Sequence, residues 1–486
     1  MKYFLSRLCL SMCAVALLCL GYSFPAQARD IDRVLHKINH IVVIYGENRS
    51  FDNLYGLFPG ARGIDDALAH YIPQKNLDGS ELPVLPPVWA KAGDVDTSYP
   101  AAMPNKPFRI DELQGKGLGV PTRDLVHRFY QNQEQINGGR NDMFAALSDA
   151  GGLVMGYYDG SSLPLWKIAQ QHTLADNFFM GAIGGSFLDH FWLVCACTPE
   201  FKDAPDSLRA KLGSDGKLLH KPEVPITAFN GPMQFHDGAV TPDGYAVNTM
   251  QPPYQPSGAP ANMDGDPRLA DPALNPLPPQ SAPTIGDRLS DKGISWAWYG
   301  GGWHQALADR NVIYNDASIN FQPHHQPFNY FRQFAPGTSA RADHLKDGDE
   351  FLEAIDKGAL PQVSFYKPQG SLNEHPGYTD VMSGDTHIAS IIEKIRNSPL
   401  WKDTLIIVTY DENGGFWDHV APPKGDRWGP GTRIPTLIIS PYARRHFVDH
   451  SRYDTTSILK LITRRFDLVP LPGVRQKMGD LTKTLQ

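Results

Sequence analysis

Four oxygen donors stand directly behind two runs of β-branched apolar residues. Glu47 and Asn48 follow His40-Ile41-Val42-Val43-Ile44-Tyr45, and Asp411 and Glu412 follow Thr404-Leu405-Ile406-Ile407-Val408-Thr409-Tyr410. Carboxylate and amide oxygens held at rigid strand ends can converge on a hard or borderline divalent cation. Either loop alone suits a helix or turn cap equally well, a common use of Asp and Asn. Two such loops, far apart in sequence and alike in context, point instead to one divalent metal ion whose identity the ligand types leave open. A third segment, Phe178 to His190, leads through Gly181, Gly184 and Gly185 to Ser186. At a helix N-terminus beside a metal, that hydroxyl becomes an alkoxide nucleophile; Gly-Gly-Ser also suits a plain turn with a helix cap. Histidines complete the set: His127, His324-His325, Glu374-His375-Pro376 and Asp418-His419. Imidazolium groups stabilise an anionic transition state and protonate a leaving alkoxide. A single His is usually structural, so each of these counts only in company.

The elements that must position these residues are legible as hydrophobic periodicity. The two runs ahead of the acidic loops suit strands buried on both faces of a parallel sheet. A third strand is expected at Pro435 to Ser440, with further candidates at Ile294 to Tyr299 and Gln362 to Tyr366. A helix is predicted over His387 to Arg396, with Ile388, Ile391, Ile392 and Ile395 on one face, Asp385 or Thr386 as cap and Pro399 as its stop. Another runs from Thr455 to Phe466 after Asp454 or Thr455 as cap. The alternation predicts an α/β fold with a mostly parallel central sheet between helices. In such sheets ligands bind beyond the carboxyl ends of the strands, where both acidic loops fall. Between about Pro199 and Ile285 the composition changes, and ten prolines lie between Pro252 and Pro283. That stretch reads as a long surface excursion within one domain rather than a linker, because strand-like pattern resumes at Ile294.

The chain has 486 residues, of which 41% are hydrophobic and 10% aromatic, ample material for a large core and incompatible with a disordered protein. Lys and Arg total 45 against 52 Asp and Glu, so the formal charge of −7 offers no basic field for nucleic acid. The first residues read as a secretory leader, residues 1–28, with Lys2 and Arg7, an apolar stretch from Leu8 to Leu20 and Ala26-Gln27-Ala28 as cleavage site. The apolar stretch is too short for a membrane anchor. The expectation is a periplasmic or secreted protein beginning at Arg29, a single catalytic domain over 29–486. Loss of Lys2 and Arg7 takes the formal charge from −7 to −9. It also removes Cys9, Cys13 and Cys19, leaving Cys195 and Cys197. One residue apart, these would form a strained ring if bridged, so they are expected as two small buried side chains and no disulfide is expected to hold the fold.

Taken together, the motifs resemble the bacterial phosphoesterase family that joins acid phosphatases to phosphocholine-type phospholipases C, within the alkaline-phosphatase-like superfamily. The resemblance is carried by Ile41 to Leu54 (IVVIYGENRSFDNL), His127 to Phe144, Ala175 to His190 (ADNFFMGAIGGSFLDH), Ser295 to Trp303, His324 to Phe331, Glu374-His375-Pro376, Tyr410 to Pro423 (YDENGGFWDHVAPP) and Arg433 to Tyr442. These span nearly the whole mature chain in family order. The resemblance implies an alkaline-phosphatase-like fold, Glu47, Asn48, Ser186, Asp411 and Glu412 as metal ligands, and Ser186 as nucleophile. It implies His127, His325 and His375 as catalytic, phosphate-contacting residues, with His324 and His419 in substrate-binding or orienting positions. The substrate implied is a small phosphate ester. Within the family, the segment Gly185-Ser186-Phe187-Leu188-Asp189-His190 departs from the Pro and Thr-x-Pro-Asn-Arg character of phospholipase C members. The leader has no twin arginine, and the chain stops soon after the core, where many phospholipase C relatives add β-rich domains. The expected subgroup is therefore the acid phosphatases, acting on monoesters. Phospholipase C action on phosphodiesters is the alternative, and a periplasmic metal- or phosphate-binding protein without turnover is a third reading. Sulfatase chemistry would want a maturation motif that the chain lacks.

Overall fold

The computed structural model describes residues 26–91, 93–222, 225–315 and 318–486. Most of the expected leader, with Cys9, Cys13 and Cys19, lies outside the described residues; its anticipated cleavage point falls within a helix, Ala26–Leu35. Among the described residues no helix is long and apolar enough to cross a membrane.

One large sheet organises the chain. Its strands in chain order are β1 (His40–Gly46), β2 (Thr173–Ala175), β3 (Trp296–Gly300), β4 (Leu345–Asp347), β5 (Val363–Lys367), β6 (Thr404–Tyr410), β7 (Thr436–Ile439) and β8 (Phe447–Asp449). Across the sheet they lie in the order β8-β2-β7-β6-β1-β5-β3-β4. The block β6-β1-β5-β3-β4 is parallel throughout, and β7 enters antiparallel to both β6 and β2. Every residue of β6 and all but His40 of β1 are buried. Because side chains alternate between faces, continuous burial means that helices and loops cover both sides, which explains why these strands read as unbroken Val/Ile runs.

Two features place the acidic loops side by side. The parallel register pairs Gly46 with Tyr410, so Glu47 and Asp411 leave the carboxyl edge of β1 and β6 at the same level. Gly414, in the left-handed region at φ 61°, packs so closely on the first loop that a Cβ there would lie 2.2 Å from the Asn48 carbonyl oxygen. The Pro-rich excursion runs almost entirely in turns and isolated bridges, such as Glu200 with Tyr245 and Tyr254 with Leu269. It nonetheless buries Val240, Ala246, Val247 and Leu277 against the rest of the core.

Two expectations need correction. The helix expected from His387 begins earlier, at Val381, with Asp380 as its cap accepting the Ser383 N–H at 2.7 Å. Asp385 sits inside the helix and accepts the Leu165 N–H at 2.9 Å instead. Gly384 hides this first turn from periodicity: it lies against Glu374, where a side chain would not fit. The second correction concerns Cys195 and Cys197, which are joined by a disulfide with their Cα atoms 5.1 Å apart. Cys195 ends the helix Ser186–Cys195, and Ala196 at its C-cap adopts the left-handed conformation (φ 48°). That reversal turns Cys197 back toward Cys195, a bend that spacing alone does not reveal.

Candidate active site

Ser186 opens the helix Ser186–Cys195 as its first residue, with Gly185 as an extended N-cap that makes no side-chain hydrogen bond. The N–H groups of a first turn lack intrahelical acceptors and carry the positive end of the helix dipole, so this position favours an anion. Only a glycine fits at 185, since a Cβ would lie 2.5 Å from the His127 carbonyl oxygen. The Ser186 hydroxyl donates to Asn48 Oδ1 at 3.1 Å and to Glu412 Oε1 at 3.3 Å. Three segments more than a hundred residues apart thus meet at one oxygen.

The second acidic loop is fixed by its own backbone. Asp411 Oδ1 accepts the N–H groups of Asn48 and Glu412 at 3.0 and 2.8 Å, and Glu412 Oε2 accepts that of Gly414 at 2.6 Å. Asn48 itself is in the left-handed conformation at φ 60°, which Asn tolerates better than most residues. Glu47, Asp411 and Glu412 are all fully buried. Burial pushes Glu412 up to about 8, with repulsion from Asp411 adding to it, and pushes Asp411 up to about 6, with repulsion from Glu47 adding to it against the pull of Lys367. Burial acts on Glu47 in the same direction, but His325 and Lys367 outweigh it and hold Glu47 well below the usual carboxylate range.

The histidines surround this core. His127 Nε2 lies 3.8 Å from Glu412 Oε1 and 3.4 Å from Asn48 Nδ2, and its Nδ1 faces the Leu125 carbonyl. Burial would lower the His127 pKa, yet the carboxylates of Glu412 and Asp124 prevail and raise it to about 9. His375 Nε2 lies 3.8 Å from Glu47 Oε2, with its ring stacked on Tyr378 at 4.1 Å. His325 Nε2 pairs with Glu47 Oε1, and His324 packs edge-on against it at 4.8 Å between ring centroids. Burial holds His325 down to about 4 and His324 well below the ordinary imidazole value.

Of the residues anticipated from sequence, Glu47, Asn48, Ser186, Asp411, Glu412, His127, His325, His375 and His324 are brought together. His419 is not. Its ring Nδ1 and backbone N–H both meet Asp52 Oδ2, at 2.6 and 2.8 Å. Arg433, fully buried, bonds Asp418 at 2.8 Å and Asp52 at 3.0 Å in the same cluster. Among the described residues no hydrogen bond or ion pair joins His419 to Ser186 or to the three site carboxylates; its polar contacts lie within the Asp52–Asp418–Arg433 charge cluster.

Two further residues complete the centre. Lys367, the last residue of β5 and fully buried, places its ammonium 2.9 Å from Glu47 Oε1 and 3.8 Å from Asp411 Oδ2, and donates to the Gly46 carbonyl at 3.2 Å. His190, one turn after Ser186, sets Nδ1 2.7 Å from the Ser186 carbonyl and lies parallel to His325 at 5.6 Å. A lone strand-end Lys reads as solvated, and His190 differs in no way from a core histidine; its i+4 spacing from Ser186 was the one available clue.

The donors suit a divalent ion. Asp411 Oδ2 is buried and lacks a hydrogen-bond donor, its nearest cation being the Lys367 ammonium at 3.8 Å, and carboxylate, amide and hydroxyl oxygens form a hard ligand set. Beside Ser186 a cavity of about 320 Å³ is lined by Arg123, Asp124, His127, Gly185, Phe187 and Asn248, so the excursion supplies part of its wall.

This chemistry coincides with descent. The family model described as the Phosphoesterase family matches residues 38–469, and the chain belongs to that family. Among curated proteins it is similar to phospholipase C B of Mycobacterium tuberculosis, 26% identical over 93% of this chain and 78% of the relative. It is also similar to a non-hemolytic phospholipase C of Burkholderia pseudomallei, 25% identical over 95% of this chain and 60% of that protein. A solved structure described as a protein in the alkaline phosphatase superfamily from Vibrio parahaemolyticus matches with a TM-score of 0.31 and 13% identity, covering 76% of this chain and 72% of that one.

Proposed function

We propose that the chain is a hydrolase of phosphoric esters in which Ser186 is the nucleophile. The observation that carries this reading is the convergence of Asn48 Oδ1 and Glu412 Oε1 on the Ser186 hydroxyl, within 3.3 Å, at the N-terminus of a helix. One divalent ion is assigned to Glu47, Asn48, Ser186, Asp411 and Glu412; when bound it supplies positive charge that favours the ionised hydroxyl and offsets charge on the phosphoryl oxygens. Ser186 Oγ attacks phosphorus, forming the O–P bond as the ester O–P bond breaks. The first-turn N–H groups and His375 face the phosphoryl group, and protonated His127 delivers a proton to the departing alkoxide. Water then cleaves the phosphoserine, with His127 taking back a proton. His325 and His324 orient Glu47 and shape the pocket.

Phosphodiester cleavage of the phospholipase C type is the leading substrate class, supported by the names of the relatives, and it reverses the order of the two readings drawn from the sequence. Monoester hydrolysis remains the second reading, favoured by the departure at Gly185-Ser186-Phe187-Leu188-Asp189-His190. We place the enzyme in the periplasm or outside the cell, on the strength of the leader-like residues 1–28. Turnover of p-nitrophenyl phosphorylcholine against p-nitrophenyl phosphate by the mature protein separates the two. Preference for the diester supports the first reading; preference for the monoester makes the chain an acid phosphatase.

A further inference from the structure

Three buried carboxylates, Glu47, Asp411 and Glu412, crowd one end of the sheet. A single divalent ion neutralises two of the three charges. The third has a fixed partner: the Lys367 ammonium, 2.9 Å from Glu47 Oε1 and 3.8 Å from Asp411 Oδ2. β5 delivers it there by register, because Ile44 pairs with Tyr366 and sets Lys367 level with Tyr45, just before the acidic loop begins. Its chain passes the Tyr45 ring, with Nζ 5.0 Å from the ring centroid. The corner it occupies is otherwise a ligand set. Glu47, His190 and His325 offer donor atoms within 4.8 Å of one another, all three residues buried. His190 Nε2 and His325 Nδ1 lack a hydrogen-bond partner, and His325 Nε2 pairs with Glu47 Oε1. Two imidazoles and a carboxylate are donors that zinc accepts readily.

We propose that Lys367 is the built-in second cation of this centre: it occupies the Glu47–His190–His325 corner and limits the site to a single divalent ion. The proposal rests on the assignment of one divalent ion made above and adds the residue that sets that stoichiometry. An ammonium cannot share a carboxylate oxygen with a second dication at such range without strong repulsion. It also holds Glu47 in place without consuming a metal. Lys367→Ala removes both the charge and the occupying volume, and opens a latent second site.

The test is metal stoichiometry, read on chelator-treated mature protein by zinc titration calorimetry and by metal analysis after gel filtration. Wild type is expected to take one equivalent, Lys367→Ala two, and Lys367→Ala with His190→Ala one again. Lys367→Arg, which keeps the charge, is expected to take one. A folded Lys367→Ala protein that binds one equivalent with wild-type affinity overturns the proposal. Should Lys367→Ala fail to fold, wild type decides: two equivalents in wild type overturns it, and one in both wild type and Lys367→Arg upholds it. If wild type binds none while Ser186-dependent turnover persists, the metal assignment fails with this proposal and the hydrolase reading survives. Turnover absent with one equivalent bound in wild type and two in Lys367→Ala leaves this proposal upheld and the hydrolase reading refuted.

Discussion

The Ser186 hydroxyl and the Glu412 carboxylate stand 3.3 Å apart although 226 positions separate them in the chain. One is brought by a helix start and the other by the end of β6, so the contact exists only if the sheet register and the helix placement are both correct. Glu412 is acceptor and His127 neighbour at once, which ties the proposed nucleophile to the proposed proton donor through a single side chain.

That placement makes the metal-free protein sensitive to pH. Glu412 is raised to about 8 and Asp411 to about 6 by burial, with like-charged neighbours adding to it. A carboxyl whose folded pKa lies above its unfolded value contributes stability that is complete at low pH and is lost as pH rises through the folded value. Above about pH 6.5, where the buried histidines of depressed pKa are neutral in both folded and unfolded chains, melting temperatures of chelator-treated protein should therefore fall up to about pH 8. Glu412→Gln should flatten the decline, as should a saturating divalent ion in the wild type. A melting temperature that rises across this interval contradicts the assignment.

His127 should govern an alkaline limb. In the metal-free protein Glu412 and Asp124 raise its pKa to about 9 against the effect of burial; a divalent ion on Glu412 removes part of that support, so the limb should move to lower pH in the metal-loaded enzyme. His127→Gln is expected to lower kcat by about 10²- to 10⁴-fold for poor leaving groups, and far less for p-nitrophenolate, which needs no proton. Equal losses for both leaving groups would remove His127 from the role of general acid.

Much of this site was legible before any coordinates. Glu47, Asn48, Asp411 and Glu412 follow uninterrupted β-branched runs, and such runs end at the carboxyl edge of a parallel sheet. Lys367 was not legible, because β5 (Val363–Lys367) carries its single charge at the last position, where sequence suggests exposure. The strands β2, β4 and β8 are three residues each, too short to show an alternation. The surroundings of His419 were not legible for a different reason: its partners Asp52 and Arg433 come from distant parts of the chain.

That network should matter for stability rather than chemistry. Arg433→Ala leaves Asp52 and Asp418 buried without their guanidinium, and loss of one partner from a buried ion cluster costs about 3–5 kcal/mol. Denaturant unfolding should show a loss of that order, with KM little changed in whatever protein remains folded. A change below about 1 kcal/mol would refute the buried-charge account.

The excursion positions His127 through Asn248, which accepts the Phe129 N–H at 3.0 Å and donates to the Gly238 carbonyl at 2.7 Å. Asn248→Ala leaves the buried Phe129 N–H unpaired and the Gly238 carbonyl with only the 3.5 Å contact from Arg128, for about 1–3 kcal/mol in the first case, and should lower kcat about tenfold by loosening the His127 segment. Asn248→Asp, which keeps the acceptor, should recover part of that loss. Full activity in the alanine variant would make the excursion a passive cover.

The most direct measurement is turnover of p-nitrophenyl phosphorylcholine and p-nitrophenyl phosphate by mature wild type and Ser186→Ala, with bound metal quantified in each sample. The account predicts hydrolysis of at least one ester by wild type and a loss of about 10³-fold or more in the variant, with one divalent ion still bound. Undiminished hydrolysis by Ser186→Ala would contradict a serine nucleophile, and no hydrolysis by metal-loaded wild type would make the chain a binding protein.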